Sequence, residues 1–190
     1  TDIGYHHRSV EKIGERQSLE IRAEALKSAL MELRQSEGVE EAFVVSTCNR
    51  VEVYVRAAGD EPARRFFTSR AAEACDHLYA KGGVEAVRHL FRVSASLDSM
   101  VVGEAQIVAQ LKAAYQQACD GGCTAVVFNR LFRHALEVGK RAGLAVQVRL
   151  GGGELVRHRV GDALREERRA VELEQALLDH APHQVGDVDL

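Results

Sequence analysis

The chain of 190 residues carries a formal net charge of −3, with 46% hydrophobic and 28% charged residues, a composition typical of globular proteins that bury a core. No apolar run approaches the ~20 residues that span a bilayer, and the first residues lack the layout of a secretory signal. We therefore expect a cytoplasmic protein without a membrane partner. The slightly acidic balance does not favour general nucleic-acid binding, which would need a local basic patch.

The four cysteines are too few for a disulfide framework in a chain of this length: Cys48, Cys75, Cys119 and Cys123. Cys119 and Cys123 have C-x3-C spacing, but a zinc site needs two further ligands, and only His134 follows at a moderate distance. We therefore expect structural thiols in this pair and predict no metal site.

The first part of the chain predicts a helix and then two strands. Leucine and alanine residues at helical spacing predict an amphipathic helix over 18–36, and residues 42–45 favour a buried strand. Residues 51–56 alternate, with valines on one face and other residues on the opposite face: Glu52, Tyr54 and Arg56. Pro62 suits the first turn of a further helix, which carries Phe66, Phe67, Ala71 and Cys75.

The rest of the chain predicts helices, with apolar positions at helical spacing over 84–91, 104–119 and 124–142. Gly151-Gly152-Gly153 is typical of a hinge, and residues 154–180 predict a charged helix that needs a partner or a second copy. A basic stripe on the helix over 124–142 is most simply a solvated face, with phosphate contact as the alternative: Arg130, Arg133, Lys140 and Arg141. We expect an α+β fold, in which a small sheet with helices packed on one face is followed by a helical layer and a C-terminal charged helix.

The best candidate for chemistry is Cys48, in the turn Ser46-Thr47-Cys48-Asn49-Arg50 between two hydrophobic runs. A cysteine kept only for packing would more often lie within such a run. A nucleophilic thiolate needs a nearby cation or hydrogen-bond donors, which Arg50, Thr47 and Asn49 could supply. No histidine is adjacent in sequence, so a Cys–His pair is not evident, and a redox sensor or a plain turn residue remain alternatives.

Four sequence blocks resemble the glutamyl-tRNA reductase family in the same order. They are Gly4 with His7-Arg8-Ser9-Val10, the segment 46–54 around Cys48, the stretch 89–107 and the stretch 129–141. The resemblance implies a ferredoxin-like antiparallel sheet with added helices. It also implies that Cys48 attacks the aminoacyl ester of glutamyl-tRNA, and that NADPH reduces the resulting thioester to glutamate 1-semialdehyde on the 5-aminolevulinate route to tetrapyrroles.

The same resemblance implies which residues form the site. Cys48 and His89 would be catalytic, although a histidine beside Leu90 and Phe91 on a helix also fits a packing role. Arg50 suits a bidentate pair with a carboxylate, while Glu52 or Glu104 could hold the α-ammonium group. The positions expected to bind substrate are Thr47, Asn49, Arg50, Glu52, Ser99, Glu104 and Gln106.

The chain departs from the family pattern at Glu11, where proline is usual, and at Ser96, where glycine is usual. No G-x-G-x-x-G lies between a strand and a helix, and the chain after Gly153 is too short for a doubly wound domain. NADPH is therefore implied without a binding site in this chain, and we expect it on a separate subunit or on a domain lost with the rest of the protein.

A faint similarity of 162–177 to the family's dimerisation region implies a possible homodimer contact through the C-terminal helix. We expect a catalytic domain over 1–145, a glycine-rich linker over 146–153 and a helical extension over 154–190. Two alternatives to the family reaction remain open: an aminoacyl-tRNA-dependent acyltransferase or thioesterase without reduction, and a non-catalytic paralogue that binds tRNA or a partner. The retained thiol argues against the second alternative, since a pure binding module does not need one.

Overall fold

The computed structural model describes residues 4–10, 21–47, 50–71, 78–97 and 106–147, with Arg165, Arg168 and Glu172 as single helical positions. Residues 146 and 147 of the predicted linker over 146–153 are helical and belong to the helix that ends at Gln147. The rest of that linker and most of the charged segment over 154–180 lie outside this part of the chain. The strands are β1 (Gly4–Val10), β2 (Glu41–Thr47), β3 (Arg50–Ala57) and β4 (Leu78–Gly82). The helices are α1 (Ala23–Gln35), α2 (Glu61–Thr68), α3 (Val84–Ser94), α4 (Gln106–Asp120) and α5 (Val126–Gln147).

The strands form one antiparallel sheet in the order β2-β3-β1-β4. Strand β3 is an inner strand and is buried along almost its whole length, which explains its valine-rich alternation. Helix α4 packs against the edge strand β2. The N–H of Ala42 in β2 donates to the carbonyl of Cys123, just after α4, at 2.8 Å. The predicted α+β class is confirmed.

Helices cover both faces of the sheet. Helix α1 packs on β2, α2 packs on β1 and β3, and the valine side chains of β3 are fully buried. On the opposite face, His89 of α3 contacts Glu52, and Phe132 of α5 packs against Tyr54 with ring centroids 6.2 Å apart. The predicted helical layer therefore packs on this second face. As a result, the side of β3 that carries Glu52 and Tyr54 is buried and not exposed to solvent.

Two details differ from the sequence-based expectation. Strand β4 was not predicted, because its five residues are only partly buried and pair only with β1 within the described sheet, which leaves no clear alternation. The helix that starts near Pro62 ends at Thr68 instead of continuing to Cys75. The N–H groups of Arg70 and Ala71 both bond to the carbonyl of Phe67, which closes a turn there.

None of the helices in the described ranges combines the length and the apolar character that a bilayer crossing requires. This agrees with the absence of a long apolar run noted in the sequence.

The C-terminus of α3 is closed by Ser96, which lies in the left-handed region with φ +56°. Its N–H donates to the carbonyl of Val93 at 3.0 Å, and the N–H of Leu97 donates to the carbonyl of Arg92 at 2.9 Å. These two bonds define a Schellman motif, whose left-handed position favours glycine because a Cβ is strained there. The positive φ at this position explains why glycine is usual here in the family that the sequence resembles. In this chain the residue is a serine, and its backbone is strained.

We expect Ser96→Gly to raise the free energy of unfolding by about 1 kcal/mol, because it removes the Cβ from a positive-φ position. Urea unfolding of the two proteins measures the difference. The matched control is Ser96→Ala, which keeps the Cβ and removes only the hydroxyl, and it should bring no gain. A Ser96→Gly protein no more stable than the wild type would contradict the strain argument.

Candidate functional site

The site begins at the end of the β2–β3 hairpin, where Thr47 pairs with Arg50. The backbone N–H of Arg50 donates to Thr47 Oγ1 at 3.1 Å, so the threonine hydroxyl ties the two strand ends together. Cys48 and Asn49 connect these residues along the chain and lie outside the described residues. The role of Cys48 as nucleophile therefore stays a prediction, but the positions of the neighbouring Thr47 and Arg50 are known.

Glu52 is the centre of a buried polar network. Its Oε1 accepts a hydrogen bond from Arg50 Nη1 at 2.8 Å and lies 3.1 Å from Nε2 of His89. Its Oε2 accepts a hydrogen bond from the Tyr54 hydroxyl at 2.7 Å. The exposed fractions are 1% for Glu52, 4% for His89 and 9% for Arg50. We call these four residues, Arg50, Glu52, Tyr54 and His89, the Glu52 network.

The arrangement compensates the cost of burying a charge. An ionised carboxylate removed from water is stable when a cation and further donors surround it, and Arg50 supplies the cation. Burial raises the pKa of Tyr54 well above its ordinary value, and the neighbouring Glu52 raises it further. Tyr54 therefore remains a hydrogen-bond donor. Nε2 of His89 is within hydrogen-bond distance of Glu52 Oε1, and an ionised carboxylate accepts in such a contact.

Two different parts of the fold bring this network together. The period of two along β3 places Arg50, Glu52 and Tyr54 on one face, and α3 brings His89 from 37 positions further along the chain. Tyr79 of β4 packs edge-on against His89, with ring centroids 6.2 Å apart. The Nζ of Lys81 lies 4.7 Å from the centre of the Tyr79 ring.

The structure thus brings together Thr47, Arg50, Glu52 and His89 among the predicted site residues. Gln106 is exposed at the first position of α4, and no side-chain hydrogen bond or ion pair joins it to another described residue. The predicted residues Cys48, Asn49, Ser99 and Glu104 lie outside the described residues.

The contacts also bear on how Glu52 and His89 act. Both oxygens of Glu52 face protein donors, and its side chain is 1% exposed, so the described geometry suits it to orient Arg50 and His89 rather than to meet an ammonium group directly. His89 is buried, but its partner is a carboxylate and not only the apolar residues beside it.

Sequence reasoning assigned no role to Tyr54 or Tyr79. Tyr54 follows Glu52 on the same strand face, and that spacing is a signal that could have identified it. Tyr79 had no such signal, because β4 shows no strand pattern.

The C-x3-C pair has ordinary structural contacts. Cys119 Sγ accepts a hydrogen bond from the Thr124 hydroxyl at 3.3 Å, and Cys123 is fully buried. Burial raises the pKa of the Cys123 thiol, which makes that thiol less reactive. Within the described residues, no three side chains of His, Cys, Asp or Glu are grouped so that they could hold a metal ion.

The predicted basic stripe lies on the exposed side of α5. Arg130, Arg133 and His134 line an open groove of about 460 Å³ together with Val126 and Glu137. The Arg141 Nη2 pairs with Glu137 at 2.6 Å. The exposed position agrees with a solvated face, and phosphate contact by this stripe stays a prediction.

Residues 3–144 match the family model for the glutamyl-tRNAGlu reductase N-terminal domain. The chain is 51% identical over 149 residues to glutamyl-tRNA reductase 2 of Anaeromyxobacter dehalogenans, a match that covers 78% of this chain and 33% of the relative. It is 47% identical over 146 residues to the glutamyl-tRNA reductase of Rubrobacter xylanophilus, covering 73% of this chain and 34% of the relative.

The solved structure of glutamyl-tRNA reductase from Methanopyrus kandleri is also similar, with a TM-score of 0.60 and 32% sequence identity, over 75% of this chain and 34% of that structure. The chain therefore spans about a third of the length of the relatives it matches. On the extent of these matches, the chain belongs to the glutamyl-tRNA reductase family, within the N-terminal domain of that family.

Proposed function

We propose that this chain performs the thioester-forming half of the glutamyl-tRNA reductase reaction on the tetrapyrrole route. The observation that carries the proposal is the Glu52 network, which lies at the turn end of the β2–β3 hairpin, next to the connection that contains Cys48. A buried ionic cluster next to a reactive-residue motif is typical of an active site, where charge must be held in a fixed orientation. Burying Arg50, Glu52 and His89 together costs desolvation energy, and a role for the cluster at an active site accounts for that cost.

The proposed chemistry uses the thiolate of Cys48 as nucleophile. It attacks the carbonyl carbon of the aminoacyl ester, a carbon–sulfur bond forms and the carbon–oxygen bond to the terminal ribose breaks. The proton of the thiol ends on the ribose hydroxyl of the released tRNA. Arg50 places a positive charge beside the hairpin end, where it favours the thiolate and a substrate carboxylate.

The reductive half of the family reaction uses NADPH, and the described residues do not fit that cofactor. Dinucleotides bind at the carboxyl ends of parallel strands, whereas every strand pairing described here is antiparallel. We therefore derive no reductive step on this chain and assign NADPH to a separate domain or subunit. Glutamyl-tRNA is the proposed partner, a homodimer contact through the C-terminal helix remains part of the proposal, and we propose a cytoplasmic location.

The finer fold assignment is also a proposal. The chain order β1-α1-β2-β3-α2-β4 and the strand order β2-β3-β1-β4 support a ferredoxin-like core, with α3, α4 and α5 as the added helical layer. We propose a catalytic domain over 1–145, the linker over 146–153, whose first two residues complete α5, and the helical extension over 154–190.

The test is to incubate the protein with glutamyl-tRNA labelled in the glutamate, in the absence of NADPH. We expect label on the wild-type protein that hydroxylamine releases, as a thioester requires, and no label on Cys48→Ser. Cys119→Ser is the matched control, because it removes a partly buried thiol elsewhere, and it should keep the label. An unlabelled wild type, or a Cys48→Ser protein that still carries label, would contradict the proposal. Free glutamate released without NADPH would instead indicate the thioesterase alternative.

A further inference from the structure

One oxygen of the Glu52 carboxylate contacts two residues from different parts of the fold. Oε1 contacts both Arg50, at the first position of β3, and His89, in the middle of α3. The terminal torsion of a glutamate side chain is soft and has a broad distribution. These two contacts alone therefore leave the plane of the carboxylate poorly determined.

Tyr54 supplies the missing constraint. Its hydroxyl donates to the other oxygen, Oε2, at 2.7 Å, and bonds on both oxygens define the plane of a carboxylate. Tyr54 is 3% exposed, so water does not compete effectively for this bond. Burial and the adjacent carboxylate also keep its hydroxyl protonated.

The ring of Tyr54 is itself held by packing from two elements. It lies 5.9 Å from the ring of Phe43 on β2 and 6.2 Å from the ring of Phe132 on α5, both measured between centroids. The position of the hydroxyl is therefore set by the aromatic core and not by the polar network that it serves.

We propose that Tyr54 is a positioning residue, whose hydroxyl orients the Glu52 carboxylate so that Arg50 and His89 are held in the geometry that thioester formation at Cys48 requires. This inference rests on the proposed function and adds to it. Tyr54 does not touch the substrate. It acts through Glu52, and it links the packing of α5 to the site.

The test is Tyr54→Phe, which keeps the ring and its packing and removes only the hydroxyl. Because a small misplacement of reacting groups can lower a rate by up to ~100-fold, we expect the single-turnover rate of acylation by glutamyl-tRNA to fall about tenfold or more. The apparent KM for glutamyl-tRNA should stay within about twofold, since no tRNA contact is removed.

The matched control is Tyr115→Phe. Tyr115 stacks on the same Phe132 ring at 5.6 Å, but its hydroxyl donates to Asn129 Oδ1 at 3.0 Å and not to Glu52. It should leave the acylation rate unchanged. A Tyr54→Phe protein within about twofold of the wild-type rate, or an equal loss in both variants, would overturn the proposal.

A second measurement does not depend on turnover. In spectra of protein labelled with ¹⁵N-histidine, the Nε2 resonance of His89 should shift in Tyr54→Phe and stay in place in Tyr115→Phe, because its acceptor reorients only in the first variant. An unchanged resonance in Tyr54→Phe would overturn the positioning role. If the wild type forms no thioester, the proposed function fails, and this spectrum alone decides whether Tyr54 orients the network.

Discussion

We expect Gly139→Ala to lower the free energy of unfolding by about 2–3 kcal/mol, near the upper end of the usual cost of overpacking. A Cβ at this position of α5 would lie 2.5 Å from the carbonyl oxygen of Ser94, at the end of α3, and 3.0 Å from Cγ2 of Val108 on α4. The first obstacle is backbone and cannot rotate away, so the helices must separate. The gain of ~1 kcal/mol that alanine usually brings to a helix interior is too small to offset this.

Chemical denaturation of Gly139→Ala and the wild type measures the effect. Gly59→Ala is the matched control, because a Cβ there meets nothing within 4 Å, and it should change stability by less than about 1 kcal/mol. Gly139→Ala with wild-type stability would show that α5 and the end of α3 are not in such close contact.

We expect Glu41→Ala to lower the free energy of unfolding by about 3 kcal/mol, because it leaves one buried and one partly buried N–H group without their acceptor. Glu41 lies on β2, is fully buried, and its Oε2 accepts from the N–H groups of Ala125 at 2.6 Å and Phe128 at 2.8 Å. Ala125 immediately precedes α5, and Phe128 lies in its first turn. The first turn of a helix has N–H groups that need acceptors and a positive dipole end that favours a carboxylate. Ala125 has no side-chain acceptor, so a residue 84 positions earlier performs the capping.

Glu40→Ala is the matched control for Glu41→Ala. Glu40 is the preceding residue and pairs with the same arginine, Arg56, but its side chain is 41% exposed and contacts no helix N–H of the described residues. Exposed ion pairs contribute little to stability, so we expect Glu40→Ala to lower the free energy of unfolding by less than about 1 kcal/mol. Thermal or urea unfolding distinguishes the two variants, and equal losses would rule out the capping role of Glu41.

The contacts of Glu41 and Gly139 hold the helical layer against the polar side of the sheet. Glu41 holds the start of α5 against the edge strand, and Gly139 allows its middle to touch the end of α3. Because α3 carries His89, both contacts help to determine where that histidine meets Glu52. The geometry of the Glu52 network therefore depends on residues that do not belong to it.

Much of the candidate site was accessible from the sequence because it lies within one hairpin. The alternation in β3 correctly grouped Glu52 and Tyr54 on the face opposite the valines, and the motif resemblance added His89. Sequence reasoning could not assign the partners of Glu52. Whether its carboxylate meets substrate, solvent or protein donors depends on α3 and α5, which reach it from distant parts of the chain.

Local patterns were enough for the helix-rich α+β class, the β2–β3 hairpin, most helices and the family, because hydrophobic periodicity and short motifs act over a few residues. The tertiary structure alone decided that β4 completes the sheet, that Glu41 caps α5 and that Ser96 and Gly139 occupy positions where a Cβ is strained or excluded. Those features arise from contacts between distant segments, which determine burial, hydrogen-bond partners and space, and none of these quantities is a property of neighbouring residues in the chain.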